Sequence, residues 1–278
     1  MAAPSLPRRR SFRFNRRQLT LSAIALCTFF LVAIVLSNWL MGETGLDPSL
    51  TQRNEPPSLA HLFGTDWLGR DMLTRSLHGM SLSVRVGLLA ASFSAVIGTA
   101  LGLTAGTLGG KVDAVITWII DVFFSLPHLV LLIMIAFAVG GGTKGVIIAV
   151  ALTHWTGLAR IIRAETLQVN SSDYVQLSHK FGRSPLWIAR HHMLPHVIPQ
   201  LLVGLILLFP HAILHEAALS FIGIGLSPHT PAIGIILAES MRHLSTGYWW
   251  LGVMPGLLLL LAVKAFDTLG ENVRALID

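Results

Sequence analysis

The chain has 278 residues, 53% of them apolar and 12% charged, with a formal net charge of +6. A soluble domain carries about 25% charged residues, so this chain cannot cover a water-exposed surface of its size, and its composition places it in a membrane. Six of the twenty Lys and Arg residues fall among the first seventeen positions, which reads as a topogenic signal rather than a nucleic-acid surface.

A helix needs about 20 apolar residues to cross roughly 30 Å of hydrocarbon. Six stretches meet or approach that length: Leu19–Met41, Leu82–Ala105, Val112–Val139, Gly145–Ile162, Val197–Leu214 and Trp249–Phe266. The expectation is an all-α polytopic membrane protein of about six transmembrane helices. A basic tail, 1–18, leads into a first span, 19–41, and Arg9-Arg10-Ser11-Phe12 in that tail has the look of a twin-arginine export signal. The following apolar run lacks a clear small-residue cleavage site and precedes five more spans, so a retained anchor is expected. Cys27 is the single cysteine, which excludes a disulfide framework and a cysteine metal site within the chain.

Cytoplasmic segments are enriched in Lys and Arg. With the N-terminus inside, the inner segments hold Arg8, Arg9, Arg10, Arg13, Arg16, Arg17, Lys111, Arg160, Arg163, Lys180, Arg183, Arg190 and Arg274. The outer segments hold Arg53, Arg70, Arg75, Lys144 and Arg242. Thirteen against five places both termini in the cytoplasm. Two long hydrophilic segments remain: an extracytoplasmic connector, 42–80, and a cytoplasmic loop, 163–196, within a five-helix core that runs from 81 to 278. Long connections of this kind tend to be functional.

In the loop, Asn170-Ser171-Ser172-Asp173 offers capping residues for a short helix, Gly182 can end that helix in a left-handed cap, and Ser184-Pro185 can start another. The local pattern predicts helix, glycine turn, helix. A plain connector would carry the same punctuation, so the pattern alone leaves a docking role open.

Gly182 followed by Leu194 and Pro195 at plus 12 and plus 13 resembles the EAA loop of ABC importer permeases, the segment that docks on the ATPase subunits. Gln176-Leu177-Ser178 stands where that loop has Glu-Ala-Ala. Upstream, Gly64-Thr65-Asp66-Trp67-Leu68-Gly69-Arg70-Asp71 is similar to the GTDxxGRD signature of the dipeptide, oligopeptide and nickel permeases, C-type subunit. Gly109-Gly110-Lys111-Val112-Asp113, Asp121 and Pro127 resemble that subunit's next segment, with Trp118 where arginine is frequent, and Glu216 through Gly225 with Pro228 and Pro231 resembles its late segment. The resemblance implies a type I ABC importer permease that works with a homologous permease, two cytoplasmic ATPases and an extracytoplasmic binding protein in a prokaryotic plasma membrane. It places ATPase docking on Tyr174, Gln176, Leu177, Ser178, Gly182, Leu194 and Pro195, and leaves the substrate as peptide or nickel. The chain itself has no G-x-x-x-x-G-K-[ST] loop, so no enzyme activity and no cofactor are expected of it.

Other candidates come from residue types at membrane depth. His211 and His215, i and i+4 beside Glu216, could contact a metal or pack within the bundle. His191, His192 and His196 are expected to pack at an ATPase or membrane interface. Asp121 and Asp267 read as structural, with Lys264 at i−3 able to pair with Asp267. Gly98, Gly102 and Gly106 form a small-residue stripe for close packing against a neighbouring helix, one from a partner permease included. The rival reading is an ion-gradient-driven secondary carrier, which calls for inverted repeats, broken helices and an acidic midplane residue; no repeat is visible.

Overall fold

The computed structural model describes residues 16–42, 45–227 and 230–277. The basic residues Arg8 to Arg13 and the motif residue Pro228 lie outside them. The long helices are α1 (Arg16–Met41), α2 (Met72–Leu108), α3 (Gly110–Ser125), α4 (His128–Ala138) and α5 (Gly142–Asn170). They are followed by α6 (Asp173–Lys180), α7 (Pro185–Ile188), a π-turn (Ala189–Met193), α8 (Leu194–Phe221), α9 (Ile233–Met241) and α10 (Trp250–Ile277). Among the described residues there is no strand, only a bridge between Thr65 and Asp71. Helices α1, α2, α5, the run from α7 through α8, and α10 are long and apolar enough to cross a bilayer, and α3 with α4 supplies a sixth crossing in two pieces.

The expected continuous span from Val112 to Val139 is corrected. Leu126 adopts an extended backbone, φ −93° and ψ 143°, and α3 meets α4 at 99°. The residue before a proline is driven out of the helical region, and Pro127 itself has no N–H to continue the ladder. The hydrophilic loop is also shorter than 163–196. Helix α5 continues through Arg163 and Glu165 to Asn170, because Glu, Leu and Gln are good helix formers whether or not they are apolar. The connector proper begins at Ser171.

Helix α2 is 37 residues long, about 55 Å of helix, and it organises everything else. At its start Asp71 caps the helix and the Thr65 carbonyl accepts from Trp250 Nε1 at the head of α10. At its far end Thr104 and Leu108 line a cleft with Pro185, Leu186 and Leu194. The bundle therefore has an Asp66 end and a Gly182 end. Helices α1 and α10 run antiparallel, packing Leu31 and Ile34 among Leu258, Leu259 and Ala262; Arg16 and Ile277 both fall at the Gly182 end.

The glycine stripe packs within this chain, against α5, rather than on a partner. A Cβ on Gly98 would stand 2.7 Å from the Trp155 carbonyl, on Gly102 2.7 Å from the Ala159 carbonyl, and on Gly106 2.5 Å from Thr166 Cβ. Ser94 Oγ adds a 3.1 Å hydrogen bond to the Ala151 carbonyl. Lipid tails supply no hydrophobic drive between helices, so such close approach is what holds the pair. We expect Gly102→Leu to cost about 1–3 kcal/mol by overpacking. Gly157→Ala, where a Cβ meets nothing within 4 Å, should instead be neutral or stabilise by up to about 1 kcal/mol through helix propensity. Thermal unfolding of the two variants in detergent checks the contrast.

Candidate functional site

At the Gly182 end, α6 closes with a Schellman turn. The Gly182 N–H donates to the His179 carbonyl at 2.9 Å and the Arg183 N–H to the Ser178 carbonyl at 3.1 Å, with Gly182 at φ +75°. This double bond pattern needs a left-handed residue at Gly182, where glycine carries no Cβ clash. Ser184 then caps α7 by accepting from the Trp187 N–H, and Pro185 occupies the first turn, where its missing donor costs nothing. Val175, Ile188 and Met193 are wholly buried beneath the turn and join Val169 in one cluster, so the loop is a packed unit on the end of α5.

What it leaves outside is apolar. Tyr174 is 51% exposed, Leu177 52%, Phe181 77% and Leu186 80%, and beside them opens a cleft of about 550 Å³ lined by Leu108, Pro185, Leu186 and Leu194. Gln176 Nε2 donates to the Asn170 carbonyl at 2.8 Å. Ser178 Oγ bonds His192 Nε2 at 3.0 Å, and His191 stacks on Trp187 with ring centroids 4.4 Å apart. These two histidines are therefore engaged inside the loop. His196 lies 3.9 Å from Glu165. Pro195 sits in the first turn of α8, just beyond the π-turn.

At the opposite end the Gly64–Asp71 motif is a knot tied on one carboxylate. Asp66 is fully buried. Its Oδ1 accepts from the Leu68 and Arg70 N–H groups at 2.8 and 3.0 Å. Its Oδ2 accepts from Arg70 Nε at 2.7 Å and Arg75 Nη1 at 3.1 Å. Arg75 goes on to Glu239 in α9. Asp71 accepts from the Thr74 N–H at 2.8 Å and pairs with His61 at 2.9 Å. Thr65 Oγ1 receives the Glu55 N–H at 2.8 Å. Gly64 and Gly69 both have positive φ, and a Cβ on Gly69 would stand 1.8 Å from the Ser49 carbonyl. Sequence reasoning misses Arg75, Glu239 and His61 as parts of this knot, since charge counting sees Arg75 only as an outer charge.

The remaining motif residues join other elements. Asp113 holds Arg163 in a two-pronged pair, with Nη2 at 2.6 Å, and Asp121 holds Arg160 at 3.0 Å; both pairs tie α3 to α5. Pro127 makes the break before α4. Glu216 is buried and accepts from Ser220 Oγ at 2.7 Å, while the same hydroxyl receives the Leu226 N–H at 3.1 Å. Among the described residues no ion pair joins Lys264 to Asp267. Of the i, i+4 pair, His211 bonds back to the Leu207 carbonyl at 3.0 Å, and His215 lies against His128 and His154.

The Asp66 knot yields a prediction. Removing one partner of a buried ion pair strands the other and costs about 3–5 kcal/mol. Asp66→Ala should lower the unfolding temperature far more than Asp121→Ala, whose pair with Arg160 is more than half exposed on both sides and worth about 0–1 kcal/mol. Gly69→Ala should be as damaging as Asp66→Ala. Membrane yield and thermal unfolding of the three variants test the order.

Residues 98–275 match the family described as "Binding-protein-dependent transport system inner membrane component". The dipeptide transport system permease protein DppC of Bacillus subtilis (strain 168) is 34% identical, covering 96% of this chain and 83% of the relative. The probable D,D-dipeptide transport system permease protein DdpC of Escherichia coli (strain K12) is 34% identical over 94% and 87%. The glutathione transport system permease protein GsiD of Escherichia coli O6:K15:H31 is 33% identical over 96% and 88%. In fold, the chain superposes on an inward-facing structure of the MetNI methionine ABC transporter with a TM-score of 0.60, at 19% identity, covering 74% of this chain and 98% of the other. The match decides between importer and gradient-driven carrier, and also between transporter and enzyme. The chain belongs to the inner membrane component family of binding-protein-dependent transport systems, the multi-pass permease subunits of ABC importers.

Proposed function

We propose that this chain is the permease subunit through which an ABC importer carries dipeptides and short oligopeptides, in complex with a homologous permease, two cytoplasmic ATPases and an extracytoplasmic binding protein. The observation that carries the reading is identity of about one third, over more than four fifths of their length, to permeases named for dipeptide transport. Nickel, the other substrate suggested by the sequence, has no such support among these relatives.

In this reading the Gly182 end is cytoplasmic and the Asp66 end faces the binding protein. Among the described residues Lys111, Arg163, Lys180, Arg183 and Arg190 gather toward the Gly182 end, in keeping with positive-inside charge. Tyr174, Leu177, Phe181 and Leu186 form the apolar surface that meets the ATPase, with Gly182 shaping the turn that presents them. ATP can shift the permease between its two access states only through contacts that differ between those states. The loop packs on the end of α5, so a push on it acts directly on the α2–α5 pair. The Asp66 knot keeps the connector fixed on the heads of α2 and α10 and on the last turn of α9, a firm seat for the binding protein.

The central test is Gly182→Asp. A Cβ at Gly182 meets nothing within 4 Å, so the only folding cost is the left-handed backbone, roughly 1–2 kcal/mol. The variant should reach the membrane in normal amount, pull down less ATPase and lose uptake of a radiolabelled dipeptide. Normal uptake with a normal ATPase yield would remove the coupling role; wild-type uptake of nickel but of no peptide would replace the substrate. Orientation has its own check. In a Cys27-free background, a membrane-impermeant thiol reagent on intact cells should label Ser58→Cys and spare Ser171→Cys, and the reverse pattern would invert the topology.

A further inference from the structure

Three histidines far apart in sequence meet where α4, α5 and α8 converge. His128 opens α4 immediately after the Pro127 break, His154 lies near the middle of α5, and His215 lies in the last third of α8. One ring nitrogen from each falls within 4.8 Å of the other two. Ring centroids are separated by 4.7 Å for His128 and His154, 4.9 Å for His128 and His215, and 5.0 Å for His154 and His215. His154 is twelve residues into α5, about 18 Å along the helix, deep in the apolar part of the span. Polar side chains at such depth face a cavity or a bundle interior and call for a reason.

The hydrogen bonding of His154 supplies an independent indication. Its Nδ1 lies 3.1 Å from the Val150 carbonyl and 3.0 Å from Thr153 Oγ1; the Thr153 hydroxyl gives its own proton to the Ala149 carbonyl at 2.9 Å, and a carbonyl can only accept, so these contacts assign the ring proton of the neutral imidazole to Nδ1. That leaves a lone pair on Nε2, which is buried and has no hydrogen-bond partner among the described residues. A ring held by a backbone carbonyl through one nitrogen, with the other bare, is how proteins orient a histidine toward a metal. Among the described residues the ring nitrogens of His128 and His215 make no hydrogen bond either.

From this geometry we propose that His128, His154 and His215 form a site for one divalent transition-metal ion of the zinc, nickel or copper type, joining α4, α5 and α8. Imidazole nitrogen suits these ions, whereas magnesium and calcium require oxygen. Nitrogen ligands stand about 2.0–2.1 Å from zinc, so the three rings close slightly inward on binding. Three protein ligands leave a fourth position for water or for a group on a passing molecule. A filled site pins the free end of α4, at the break in the third span, to the two helices behind it. His211 offers no ligand atom to this cluster. The proposal does not depend on the substrate being a peptide.

The test uses the full chain with its partner subunits in lipid nanodiscs, purified through a tag without histidine, and measures zinc binding by competition with a chromophoric chelator. We expect one tight zinc per chain, weakened at least about tenfold in His128→Ala and in His154→Ala and unchanged in His211→Ala. Zinc should raise the unfolding temperature of the wild-type complex and not that of His128→Ala. His128 begins a helix, so His128→Ala decides the matter even if His154→Ala fails to fold. Absence of tight zinc in the wild type, the same zinc retained by His128→Ala, or an equal loss in His211→Ala would each overturn the site.

Discussion

Everything in this bundle depends on how closely α2 can approach α5. In a bilayer two helices gain nothing by hiding apolar surface from lipid, so their attraction has to come from contact. Glycine at 98, 102 and 106 lets the backbone of α2 rest on the Trp155 and Ala159 carbonyls and on Thr166, and larger side chains would hold the helices apart. The seam runs on toward the loop, where Asn170 Nδ2 reaches the Gly106 carbonyl at 3.4 Å. The result is a strut long enough to span the membrane, with the Asp66 knot built on one end and the Gly182 loop on the other.

The two ends differ in physical character. The Asp66 knot is made of buried charge and backbone hydrogen bonds, which are directional and intolerant of change. It holds the connector against the heads of α2 and α10 and the last turn of α9. The Gly182 loop has a small buried cluster beneath and a broad apolar surface above. Exposed apolar area of this kind marks a place where another protein sits. Between them, Asp113 with Arg163 and Asp121 with Arg160 tie α3 to α5, while the 99° bend at Pro127 sets His128 against His154.

What could be read from the sequence was local. Ser184, Pro185 and Gly182 announce a cap, a first turn and a left-handed stop, because each acts on backbone within three or four residues of itself. The number of spans was legible from hydropathy for the same reason. The break at Leu126–Pro127 was hidden because hydropathy stays high across it, although the proline was in plain view. The end of α5 is not legible from polarity, because Glu165, Thr166 and Gln168 are polar and still line a helix emerging from the apolar layer. Arg75 reaches Asp66 across nine residues and Glu239 across 164, and the three histidines come from three helices. No local pattern encodes such meetings; the only trace was histidine inside apolar runs.

The central claim is that α2 and α5 move as one body that carries the displacement of the Gly182 loop into the membrane. Distances between paired spin labels test it directly, in the assembled transporter with and without trapped ATP. Labels at Leu108 and Leu167, at the loop ends of α2 and α5, should keep their separation to within about 2 Å, the scale of ordinary helix shifts. A label at Phe181 should meanwhile change its distance to the partner permease by clearly more. If the Leu108 to Leu167 distance changes as much as the Phe181 distance, the seam slides rather than transmits, and the account fails.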